Sequence, residues 1–160
     1  MASPKNALIQ EILKRRMIAC LATQNDDSST HLTAVWFLYE SGRIYVATHS
    51  QTRKARNLRA RPQASLMIDV REPSAERGVA AACTVTLLDG VRAEQVITRI
   101  HQKYLSSAAL ADPRVAPVLA KMDDVVIELV PQKWTSWDMR VLGKSLFGDA
   151  IKPGYFLPVE

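Results

Sequence analysis

The sequence predicts a mainly β (α+β) fold, an antiparallel barrel of six or more strands with peripheral helices. Three observations predict it. Short apolar runs rich in β-branched and aromatic residues recur, among them Met17–Thr23, Arg43–Thr48, Ala64–Val70, Gly78–Leu88 and Val125–Val130. Most of the early runs are joined by short polar turns, which suit antiparallel neighbours. Helical periodicity is confined to the start of the chain, one short insertion after Thr48, and the stretch after Asp89. An open α+β sheet is the alternative arrangement. At 160 residues, 48% hydrophobic and 23% charged, the composition is that of one globular domain spanning 1–160.

Ser3-Pro4 offers a capping hydroxyl and a proline suited to a first helical position. Leu8, Ile9, Ile12 and Leu13 then form one apolar stripe, and Lys14–Arg16 complement the helix C-terminus. Met17–Thr23 reads as a buried strand closed by the polar loop Gln24–Thr30. His31–Tyr39 reads as the next strand, and Glu40-Ser41-Gly42 turns it into Arg43–Thr48 as a hairpin. Ser50 or Thr52 can cap a helix that runs to about Ala60 and stops before Pro62. Ala64–Val70 is a fourth strand. In Gly78–Leu88, Val79, Ala81, Cys83, Val85 and Leu87 share one face, with Thr84 and Thr86 on the other. Ala93, Ile97, Ile100 and Tyr104 predict a core-facing helical stripe; Asp112-Pro113 opens a shorter helix with Val115, Val118, Leu119 and Met122 inward. Val125–Val130 is a strand interrupted at Pro131, and Lys133–Arg140 continues as an extended segment. The core spans 17–138, and residues 141–160, rich in Gly and Pro, read as an extended tail.

No apolar run approaches the length of a membrane span, and the N-terminal stretch has no signal-type apolar region, so a cytoplasmic location is expected. Cys20 and Cys83 sit in apolar runs without a CxxC spacing and read as reduced core thiols. His31, His49 and His101 share no ligand spacing with Cys or carboxylates, so no metal is expected. The net charge of +5 favours anionic partners, yet the basic residues form no DNA-reading helix or long tract. Their densest run is Arg53–Arg61, directly after the strand ending in Thr48. A hydroxyl and a cluster of cations beside a helix start is what a phosphate needs. Arg56, Arg59 and Arg61 read as surface residues. No Ser-His-Asp, paired-carboxylate or P-loop pattern is present.

Taken in order, Cys20–Thr23 (CLAT), Ala34–Phe37 (AVWF), Gly42–Thr48 (GRIYVAT), Thr52–Leu58 (TRKARNL) and Arg61–Asp69 (RPQASLMID) resemble the pyridoxamine 5'-phosphate oxidase-like flavin-binding split barrels, from about Met17 to Asp138. The resemblance implies a six-stranded antiparallel split β-barrel with peripheral helices. It also implies a homodimer with FMN bound at the subunit interface. In such proteins the strand matching Thr33, Ala34, Val35 and Trp36 runs beside the flavin ring. The positions matching Thr48, Arg53 and Lys54 hold the phosphate, with Asn57 one helical turn on, and Ala47 is counted among the cofactor-binding positions. Trp134 and Trp137 match the segment that approaches the partner's site, as interface anchors or ring-stacking groups. The implied activity is hydride or electron transfer to a small organic molecule, the redox chemistry residing in the carrier.

Two alternatives stay open. The deazaflavin coenzyme F-420 carries a phosphate and an acidic tail that Arg56, Arg59 and Arg61 suit. A non-enzymatic flavin- or haem-binding protein would have the same fold. Neither nucleic acid nor membrane is an expected partner. His31 stands where the oxidase opens its second strand with arginine, and no Arg-x-His motif follows Trp137. Pyridoxamine phosphate is therefore not the expected substrate.

Overall fold

A computed structural model describes residues 6–73, 75–150, 152 and 154–157, with residue 120 described in its backbone only. Among these residues there are seven strands, one more than expected, and six helices. They are α1 (Ala7–Lys14), β1 (Ala19–Gln24), β2 (Thr30–Val35), β3 (Leu38–Glu40), β4 (Arg43–Thr48), α2 (Arg53–Ala60), β5 (Gln63–Val70), β6 (Arg77–Leu88), α3 (Gly90–Tyr104), α4 (Ser107–Ala111), α5 (Ala116–Met122), β7 (Val125–Asp138) and α6 (Met139–Phe147).

All strand pairs are antiparallel, in the order β2-β1-β5-β6-β7-β4-β3. The expected single strand from His31 to Tyr39 is therefore two strands at opposite edges of one sheet, and only β3 pairs with β4 as a hairpin. Trp36 and Phe37 alone join β2 to β3. Three residue steps reach at most about 11 Å, so the two edges must lie close together and the sheet must curl. The result is a curled half-barrel whose edges are not hydrogen-bonded into a closed cylinder.

The crossing is pinned from α3. Phe37 is fully buried; the Tyr104 hydroxyl donates to Met17 O at 2.6 Å and accepts from Phe37 N at 3.2 Å, while Lys103 Nζ donates to Phe37 O at 3.0 Å. Composition could not reveal this break, because the run WFLY is as β-rich as its flanks.

The β3–β4 connection has the two left-handed residues of a tight hairpin, Ser41 at φ 50° and Gly42 at φ 80°, between the paired Glu40 and Arg43. Strand β7 runs unbroken past Pro131. The register passes from Cys83↔Pro131 to Ala82↔Lys133, so Gln132 is the extra residue of a bulge that accommodates the missing N–H.

Inside the curl, Leu21, Phe37, Ile44, Val46, Leu66, Ile68, Val79, Ile127 and Leu129 form the main core, closed by Ile9, Ile12 and Leu13 of α1. The α1 cap is Asn6, which accepts from Leu8 N at 2.9 Å; the Ser3-Pro4 start falls outside the described residues. A second cluster packs α3, through Ala93, Val96, Ile97 and Ile100, onto Tyr45, Leu88 and Val126.

Two further expectations need correction. Two short helices, α4 and α5, follow α3 where one was expected, and Val118 and Met122 are exposed rather than inward. The segment after Asp138 is not all extended, because α6 occupies Met139–Phe147 with Asp138 as its cap. Residues 151, 153 and 158–160 of the expected tail lie outside the described residues.

Candidate functional site

A cavity of about 540 Å³ opens where β2 ends and the curled sheet brings the end of β4 towards it. Its walls are Ala34, Val35 and Trp36 on one side and Ala47, Thr48 and His49 on another. Thr52 and Lys54 of the α2 start, Ile100 and His101 of α3, and Leu119, Met122 and Asp123 complete it, with Ile18 at the rim. That volume lies within the usual range for small-molecule sites.

Each wall has a physical cause. Strand β2 is an edge, so it is paired on one side only and offers backbone N–H and C=O groups away from β1. Trp36 is held flat against Tyr104, with ring centroids 4.9 Å apart and planes within 1° of parallel. Thr33 lies one step back on the strand, and its buried hydroxyl oxygen has no hydrogen-bond partner.

The start of α2 is built by Thr52 and not by Ser50. Thr52 Oγ1 accepts from Ala55 N at 3.4 Å and donates to His49 O at 2.8 Å. Since that proton is committed, the 3.1 Å contact between Thr48 Oγ1 and Thr52 Oγ1 has Thr48 as the donor. For Thr48 to donate into the cavity, its proton would have to turn away from Thr52. The first N–H groups of α2 have no intrahelical acceptors, and the helix dipole makes this end favourable for negative charge.

Lys54 is half-buried, and desolvation lowers its pKa; the Asp123 carboxylate opposes that shift. An anion in the cavity would oppose the lowering in the same way, by favouring the charged amine. Asp123 is itself placed by two partners. His101 Nε2 lies 3.3 Å from Asp123 Oδ2, and the adjacent Asp124 is tied to the β4 end: Asp124 N donates to Thr48 O, and its carboxylate takes Ser50 N at 2.5 Å and Ser50 Oγ at 2.6 Å. The Ser50 hydroxyl, foremost, holds the Asp124 pKa down.

Of the residues expected at the site, Ala34, Val35, Trp36, Ala47, Thr48 and Lys54 line one cavity. Arg53, Asn57 and Trp137 do not line it. Arg53 is exposed and contributes, after the Ser29 hydroxyl and amide, to the lowered pKa of Asp27. Asn57 is buried under α2, donating to Thr23 Oγ1 at 3.1 Å and Asn25 Oδ1 at 2.9 Å. Trp137 lies over Gly78 in the neighbouring strand.

Sequence reasoning did not place His101, Asp123, Leu119 or Met122 at the site; it weighed His101 only as a metal ligand and Leu119 and Met122 only as inward-facing helix residues. Of these only His101 carried a signal, since it falls beside Ile97, Ile100 and Tyr104 on the inner face of α3. Among the described residues no group of three or more His, Cys, Asp or Glu is arranged to hold a metal.

A curled antiparallel half-barrel with peripheral helices defines the split-barrel class. The chain belongs to the pyridoxamine 5'-phosphate oxidase family, whose model (pyridoxamine 5'-phosphate oxidase) matches residues 6–138.

Solved structures share the fold. A conserved hypothetical protein from Mycobacterium tuberculosis is 24% identical, with a TM-score of 0.71 over 89% of this chain and 93% of that one. An F420 reductase is 18% identical, with a TM-score of 0.61 over 79% and 94%. HutZ, a heme storage protein from Vibrio cholerae, is 19% identical, with a TM-score of 0.61 over 81% and 91%. No curated protein matches the sequence.

Proposed function

We propose that the chain binds FMN in the cavity between β2, β4 and α2 and acts as an oxidoreductase on a small organic substrate. The observation that supports this most directly is one cavity bounded by an edge strand, an aromatic stack and a half-buried lysine at a helix start. In this reading Lys54 and the first N–H groups of α2 hold the phosphate, with Thr48 turning its proton to assist. The backbone of Ala34–Trp36 borders the ring, and the Trp36–Tyr104 stack keeps that wall rigid. FMN supplies the hydride and electron transfer when bound; the chain supplies binding, orientation and exclusion of water. A second copy closes the open side, where Ile18 and Met122 are exposed.

The deazaflavin coenzyme F-420 is the second reading, favoured by the structural likeness to an F420 reductase. Against it, the arginines that suited its acidic tail are engaged within the chain. Arg56 donates to Gln51 O, Arg59 to Ser50 O, and Arg61 to Gln24 O and Asp26.

The absorbance spectrum and mass of what co-purifies, followed by parallel titrations with FMN and F-420, test the choice. FMN binding in the micromolar range, weakened about 10-fold or more in Lys54→Ala, is the expected result. Absence of flavin binding, or an unchanged affinity in Lys54→Ala, would overturn this reading.

A further inference from the structure

Behind the His101–Asp123 pair lies a second cavity of about 440 Å³, between α3, α4 and α5. The two cavities share His101, Leu119 and Asp123, which therefore form the wall between them. Three features of the second cavity point the same way.

Its floor is apolar. Ile97 is buried in α3, and Leu110 of α4 and Leu119 of α5 face the same space. The roof is loosely applied, since α4 has no buried residue and Val118 and Met122 of α5 are exposed.

Its charge is the reverse of the chain's. The lining holds the carboxylates of Glu94 and Asp123 and the His101 imidazole, with neither Lys nor Arg, although the chain carries 21 of these and a net charge of +5.

One acceptor in it is free. Asp123 is fixed through Oδ2 to His101, its side chain is 20% exposed, and Oδ1 takes no hydrogen bond from the described residues. Carboxylates lining a cavity with an apolar floor fit a ligand with several N–H donors at one end and hydrocarbon at the other.

We infer that this second cavity binds a small organic cation, its ammonium at the free Asp123 oxygen in the field of Glu94 and its apolar body on Ile97, Leu110 and Leu119. The inference stands apart from the flavin reading, because it needs nothing of Thr48, Lys54 or Ala34–Trp36 and its ligand shares with that cavity only the wall residues Asp123 and Leu119. The pairing of Asp123 with His101 then has a purpose beyond joining α3 to the α5 end. It fixes Oδ2 and leaves Oδ1 for a ligand.

The test is an NMR titration of the full chain, following methyl resonances, with hexylammonium as probe and hexan-1-ol and hexanoate as controls. Saturable shifts of Ile97, Leu110 and Leu119 are expected with hexylammonium, at least about fivefold weaker with hexan-1-ol and absent with hexanoate. Glu94→Gln, at an exposed position, should weaken hexylammonium about fivefold without moving the thermal midpoint. Thr98→Trp, also from an exposed position, should fill the cavity and abolish binding whatever the charges do. The inference is overturned by any of four results: no saturable shift, equal affinity for hexylammonium and hexan-1-ol, shifts centred on Ala34 and Thr48, or wild-type affinity in Glu94→Gln.

Discussion

The side-chain amide of Asn57 donates to Thr23 Oγ1 at 3.1 Å, joining the middle of α2 to the end of β1 beneath it. The same nitrogen reaches Asn25 Oδ1 at 2.9 Å, so both amide protons are used inside the protein and Asn57 has no donor to offer a ligand. Its place is structural: it sets the height of α2, and hence of Lys54, above the sheet. Asn57→Ala should lower unfolding free energy by about 1–3 kcal/mol in urea melts, because Thr23 Oγ1 is left buried without its donor. Lys54→Ala should leave that stability within about 0.5 kcal/mol, as expected for a partly exposed residue. Equal losses in the two variants would contradict this division of roles.

Gly78 and Trp137 form a second close pair. A Cβ on Gly78 would lie 2.2 Å from Cζ2 of the Trp137 ring, and the two residues are cross-strand partners in the β6–β7 register. Gly78→Ala should therefore displace the indole rather than be absorbed. The expected cost is about 1–3 kcal/mol, with a shift in tryptophan emission. An unchanged emission spectrum at unchanged stability would mean that the ring does not rest on Gly78 in solution.

Much of the fold was legible because its signals are local. The stripes of α1 and α3, the alternation in β6 and the Glu40–Gly42 turn each lie within one window of sequence and survive into the structure. What could not be read depends on distant partners. The division at Trp36–Phe37 is imposed by Tyr104 and Lys103, far along the chain. Helix α6 forms despite Gly143 within it and Gly148 at its C-cap, which made the stretch read as a tail. The site shows the same limit. Ala34–Trp36, Ala47, Thr48 and Lys54 meet in one cavity, but Arg53 is next to Lys54 in sequence and about 100° away around the helix. Adjacency in the chain suggested a pair that helical geometry separates.

Lys103 predicts a pH dependence. Burial lowers its pKa to about 8 while its ammonium lies over the Phe37 ring, 3.9 Å from the centroid. In the unfolded chain the amine titrates near its ordinary value of about 10.4. Between those values the unfolded state binds more protons than the folded one, so this group's contribution to stability rises with pH across that window and is flat below it. Replacing Lys103 with Met should flatten this rise when urea midpoints are compared from about pH 7.5 to 10. A slope that survives the substitution would assign the effect to another group.

Glu128 is buried in β7 between Arg43 and Arg92, with Arg92 Nη2 3.1 Å from Oε2 and Arg43 bonded to Oε1. The two arginines are not equivalent, their side chains being 41% and 64% exposed. Removing Arg43 takes the better-buried partner and leaves a desolvated carboxylate with one exposed cation. Arg43→Met should then cost about 1–3 kcal/mol, and Arg92→Met about 0–1 kcal/mol. Glu128→Met removes the buried charge itself and leaves both cations with access to water, so it should cost less than Arg43→Met although it deletes both ion pairs. Urea unfolding of the three variants checks the order. If Glu128→Met is instead the most destabilising, the attraction of the two arginines outweighs the desolvation of the carboxylate.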